Sequence, residues 1–113
     1  MKRTLILAAM AGALAISASA LADGPGDAAA GKEKSALCVA CHGPDGNSPQ
    51  TIYPVIAGQY RDYLVQALMD YKNGGRNNAI MKGFAAGLSD EDILNLAAYY
   101  SQQESNLKTP DPE

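Results

Sequence analysis

A chain of 113 residues with nine basic and twelve acidic side chains, net charge −3, has the length of one domain, which argues against a multi-domain enzyme. It carries no basic run, and nucleic-acid affinity depends on Lys and Arg neutralising phosphates, so a nucleic-acid partner is not expected. A domain this small buries a modest share of its surface and commonly needs a metal, a disulfide or another staple, so some bound group is expected on physical grounds.

Lys2 and Arg3 precede an apolar run over residues 5–16, which gives way to two small-x-small sites, Ala18-Ser19-Ala20 and Ala20-Leu21-Ala22. This is the layout of a secretory signal peptide. Cleavage after Ala22 puts Asp23 at the head of a polar start; the competing reading, an uncleaved anchor, meets an apolar run short of the roughly 20 residues a bilayer needs. The expected organisation is a signal peptide over 1–22 and one domain over 23–113. That domain has 91 residues and a net charge of −5, and it keeps no stable membrane insertion after cleavage. Its acidic surface favours a partner with a basic face.

Asp27 is placed to cap a helix through Ala28, Ala29, Ala30 and residues 32–37, which leads into Cys38-Val39-Ala40-Cys41-His42. Export would permit a disulfide, but a bond between cysteines two residues apart closes a very short loop and restricts the unfolded chain little. A thioredoxin-like redox pair wants the strand and helix of a βαβ unit beside it, and no such pattern is present. Structural zinc wants four ligands, and two Cys with one His leave only carboxylates to complete the set. The run fits c-type haem attachment, in which the thiols add to the two vinyl groups and the next residue supplies an iron ligand. One helical turn sets the sulfurs at neighbouring vinyl positions and turns the imidazole to the metal. His42 is the only histidine, so within one subunit the sixth position falls to another kind of residue, to water or to a substrate.

Residues 43–58 are punctuated by Pro44, Gly46, Asn47, Pro49 and Pro54, which predicts an ordered loop around the haem. A second helix is predicted over 61–73 from the stripe Tyr63, Leu64, Ala67, Leu68 and Tyr71, stopped by Gly74 and Gly75. A last helix starts at the N-cap Ser89, with Asp90, Glu91 and Asp92 at its positive end, presents Ile93, Leu96, Ala97 and Tyr100 on one face, and ends near Gln103. The tail over 104–113, with Pro110 and Pro112, reads as frayed. No strand pattern is convincing, so the expected class is all-α.

Several stretches now combine: the haem motif over 38–43, Tyr53-Pro54-Val55-Ile56-Ala57-Gly58-Gln59, Tyr63-Leu64 with Gln66 and Leu68, Gly75-Arg76, Met81, Leu88-Ser89-Asp90 and Tyr99-Tyr100. Together they resemble a class I cytochrome c of the small bacterial periplasmic monohaem type, similar to one domain of the tandem dihaem cytochromes c, over nearly all of 27–103. The resemblance implies three main helices plus loops wrapped around one covalently bound haem c on Cys38 and Cys41. It implies iron ligation by His42 and by Met81, in the loop between the last two helices and 39 residues beyond His42. Met69 competes, but it falls off the apolar stripe of a predicted helix, where methionine more often packs than ligates. The resemblance also has the Pro54 carbonyl accepting from the non-ligating nitrogen of His42, the alternative being a plain turn proline. Arg76, helped by Asn77, is placed to pair with a haem propionate, the alternative being a solvated surface arginine. Gly31 and an aromatic on the last helix, Tyr99 or Tyr100, match the family's contact between terminal helices. The absence of tryptophan departs from longer members of the class.

With His42 and Met81 both on iron, no position stays open for substrate, and the implied function is one-electron transfer through the haem edge rather than catalysis. The chain would be a periplasmic, monomeric carrier in a respiratory chain, meeting redox partner proteins in small, transient contacts at that edge.

Overall fold

The computed structural model describes residues 26–108; the expected signal peptide, its cleavage site and residues 109–113 lie outside the described residues. Five α-helices and a 3-10 turn follow one another, with no strand among the described residues: α1 (Ala28–Lys34), the turn Ser35–Leu37, α2 (Val39–His42), α3 (Arg61–Asn73), α4 (Ala79–Ala86) and α5 (Asp90–Ser101).

Local chemistry sets most of the boundaries. Asp27 caps α1 by accepting from the Ala29 and Ala30 amides, and α1 then tightens into the 3-10 turn, so the expected single helix over 28–37 is divided. α3 covers the predicted span and stops where Gly74 adopts φ +84°, a left-handed conformation that a side chain would oppose. Ser89 and Asp92 form a reciprocal capping box at the start of α5, and three acidic residues occupy its first turn.

α1 packs on α5, and α3 packs on both α5 and α4. Gly31 makes the first of these crossings possible, because a Cβ there would run into the Asn95 backbone carbonyl and lie 2.9 Å from the Tyr99 Cβ. The buried core joins Leu64 of α3, Leu88, and Ile93, Leu96, Ala97 and Tyr100 of α5. Those four α5 residues are the face expected from their spacing, and Ile93 and Leu96 are fully buried.

Two expectations need correction. α4 replaces the loop expected between the last two helices, and Met81 sits in its first turn, where Asn78 accepts from the Met81 amide at 3.0 Å. The tail does not fray from Glu104. Asn47 donates to the Glu104 carbonyl at 2.9 Å and accepts from the Asn106 amide at 2.8 Å, which ties the chain end to the loop after α2.

Candidate functional site: an apolar cavity with two thiols, an imidazole and a thioether

A cavity of about 490 Å³, within the usual ligand-pocket range of roughly 300–1,000 Å³, opens between the 38–42 segment, the loop over 52–59, α3, α4 and α5. Cys38, Cys41, His42 and Met81 all line it. Both thiols are free, and burial pushes the Cys38 thiol above its ordinary range. Among the described residues no three His, Cys, Asp or Glu side chains gather as a metal cluster, so zinc has no donor set here.

His42 is buried at the end of α2, and its Nδ1 lies 2.9 Å from the Pro54 carbonyl oxygen. A carbonyl only accepts, so Nδ1 carries the proton and Nε2 is left with a lone pair for a metal. Pro54 is held by an ordered loop, as the turn residues predict. The Ile56 and Ala57 amides donate to the Gly46 carbonyl at 2.8 and 3.1 Å, the Gly58 amide donates to the Tyr100 carbonyl at 2.9 Å, and the Ser48 hydroxyl donates to the Cys41 carbonyl at 2.8 Å.

Met81 reaches the cavity from α4, whereas Met69 does not line it and packs against the core from α3. Arg76 is the one Lys, Arg, Asp or Glu side chain on the wall among the described residues. Its guanidinium lies 5.1 Å from the centre of the Tyr71 ring, and its amide donates to the Asp70 carbonyl at 3.1 Å. Among the described residues Arg76 makes no ion pair.

The remaining wall is apolar apart from Gln59, Asn78 and the tyrosine hydroxyls, and much of it is exposed: Ile52 is 75% and Ile80 59% exposed, and Leu37, Tyr63 and Phe84 are also exposed. Side chains of this kind on facing elements would close on one another if nothing belonged between them. The donor set therefore fits a large flat apolar ligand that carries a metal and acidic groups: two thiols for covalent attachment, an imidazole and a thioether for the metal, one guanidinium for a carboxylate.

Residues 28–104 match the family described as Cytochrome c. The chain belongs to the cytochrome c family. Membership implies a covalently bound haem c, and the Cys38 to His42 run is the matching attachment motif. Cytochrome c4 of Pseudomonas aeruginosa is 43% identical over 99 residues, covering 88% of this chain and 49% of that protein. Cytochrome c-554(548) of Halomonas halodenitrificans is 52% identical over 82 residues, covering 70% of this chain and 99% of that one. The crystal structure of reduced recombinant cytochrome c4 from Pseudomonas stutzeri superposes with a TM-score of 0.71 at 44% identity, over 77% of this chain and 50% of that chain. This chain thus spans about half the length of the cytochrome c4 relatives it matches. Its fold is the class I cytochrome c fold of those neighbours.

Several wall residues escape the sequence reading. Ile80 and Phe84 sit on α4, which was expected to be loop, and Ile52 lies among turn residues with no periodicity to mark it. Tyr100 is legible as core, yet nothing in its spacing announces that it also lines the cavity.

Proposed function

We propose that this cytochrome c is a periplasmic electron carrier. Cys38 and Cys41 hold one haem c through thioethers, and His42 and Met81 ligate the iron. The observation that carries the reading is a single apolar cavity reached by both thiols, by an imidazole whose other nitrogen is engaged, and by a thioether. The carbonyl of Pro54 fixes the His42 ring and its tautomer, which keeps Nε2 available and raises its basicity. Met81, held at the first turn of α4 by the Asn78 cap, supplies a sulfur that favours the reduced metal. The apolar walls keep water out and disfavour the extra positive charge of the oxidised state. Bound there, haem supplies an iron that changes charge by one electron.

With His42 and Met81 both holding the iron, no position would be left for a substrate, and electrons would pass through the exposed edge of the haem. The exposed apolar rim at Ile52, Tyr63 and Ile80 supports transient docking of a redox partner there. Arg76, otherwise without an ion pair among the described residues, serves a haem propionate. The domain begins after a cleaved signal peptide over 1–22; no described helix is long and apolar enough to cross a membrane. The carrier acts as a monomer.

The test is to export the protein together with haem-attachment machinery, reduce it and add carbon monoxide at neutral pH. An unchanged absorption spectrum and a positive midpoint potential are expected. A carbon monoxide complex would instead identify a gas-binding or catalytic haem with an open or labile sixth position.

A further inference from the structure

Tyr100 is 3% exposed, and its hydroxyl is the buried side-chain polar atom left without a hydrogen-bond partner among the described residues. Buried polar groups are nearly always paired, because an unmade bond costs most of the desolvation of the group. Phenylalanine would fill the same place in the core at no such cost. The hydroxyl therefore calls for a partner that the polypeptide alone does not supply.

Its surroundings narrow the choice. Tyr100 and Cys38 both line the haem cavity, and Cys38 packs against the core cluster to which Tyr100 belongs. Ser35, buried as well, donates its proton to the Lys32 carbonyl at 2.7 Å, and its oxygen, though free to accept, takes no bond from the phenol; the neighbouring Tyr99 donates to the Pro44 carbonyl at 2.8 Å, with its ring centre 5.1 Å from that of Tyr100. Burial pushes the Tyr100 phenol well above its ordinary range, so the group is a neutral donor at any pH the protein meets. Sulfur is a weak acceptor. As a thiol, Cys38 has a proton and rotational freedom of its own; as a haem thioether it has no proton, and attachment fixes its direction.

We propose that Tyr100 is a positioning residue whose hydroxyl donates to the Cys38 sulfur once that sulfur carries the haem, and that this bond raises the reduction potential. The inference rests on the haem reading above. A donor on the thioether draws electron density from the ring and so favours the electron-rich reduced state.

The test compares holoprotein with its Tyr100→Phe and Ser35→Ala variants by redox titration, thermal unfolding and resonance Raman spectroscopy of the Cys38 carbon–sulfur stretch. Tyr100→Phe should weaken reduction about threefold, the size of one weak hydrogen bond, or about 28 mV at 59 mV per decade for one electron. It should also shift the carbon–sulfur band and leave Tm no higher than in the parent, while Ser35→Ala leaves the potential in place. An unchanged potential with a raised Tm would mean that the hydroxyl stays orphaned and would overturn the proposal. So would a potential shift without a change in the carbon–sulfur band, or the same shift in Ser35→Ala. Failure of the haem reading is seen separately, as holoprotein preparations of the parent that carry no covalent pigment.

Discussion

Replacing Gly31 by alanine sets two effects of opposite sign against each other. Alanine in the middle of a helix is better than glycine by about 1 kcal/mol, and Gly31 lies inside α1. The added Cβ, however, meets the Asn95 carbonyl and stands 2.9 Å from the Tyr99 Cβ, and neither a backbone oxygen nor a Cβ can rotate away. α1 and α5 must then separate, at an overpacking cost of about 1–3 kcal/mol. Separation also strains the bond from the Asp27 amide to the Asn95 side chain, 2.7 Å, and the ion pair between Lys34 and Asp92, 3.0 Å, which adds about 1 kcal/mol. The clash wins, for a net loss of roughly 1–3 kcal/mol, and Tm should fall by about 5–20 °C in a domain of this size. Thermal unfolding followed by circular dichroism on haem-bound protein reads this directly. Gly83→Ala is the control, since a Cβ at that α4 position meets nothing within 4 Å, and propensity alone should there hold or raise Tm. An unchanged or higher Tm for Gly31→Ala would refute the close-approach argument.

Asp92→Asn should destabilise the protein at neutral pH, and the deficit should shrink in acid. The amide of Ser89 and the Lys34 ammonium hold the Asp92 carboxyl below its ordinary range, so its contribution is full above the unfolded-state value near 4 and is lost as pH falls through the lowered folded-state value; urea titrations at a series of pH values check this. Asn47→Ala removes the bonds to Glu104 and Asn106, and amide hydrogen exchange at Asn106 should accelerate while the absorption spectrum stays unchanged. Met69→Leu keeps volume in the core and should cost less than about 1.5 kcal/mol, with the haem spectrum and the potential intact.

The parts of the fold that were legible in the sequence are those written in local chemistry. Asp27 and Ser89 as caps, Gly74 as a stop and the α5 face of Ile93, Leu96, Ala97 and Tyr100 each follow from short-range rules, and the structure has them where those rules put them. The haem motif is equally local. α4 was missed because it is eight residues long, carries Gly83 and follows a run of Gly and Asn, so its amphipathic signal is brief; the Asn78 cap is the signal that was available. The tethered tail was missed because Asn47 reaches it across 57 residues of sequence, a pairing that no periodicity encodes. The apolar rim was hidden for a related reason: no local pattern links Leu37, Ile52 and Ile80, which the fold brings to one cavity.

The central claim is that Met81, with His42, closes the iron of a covalent haem. The measurement that tests it most directly is the weak long-wavelength absorption band between methionine sulfur and ferric iron, recorded on oxidised holoprotein and on its Met81→Ala and Met69→Ala variants. The band should be present in the parent, absent in Met81→Ala and retained in Met69→Ala. A band that survives in Met81→Ala and disappears in Met69→Ala would contradict the account.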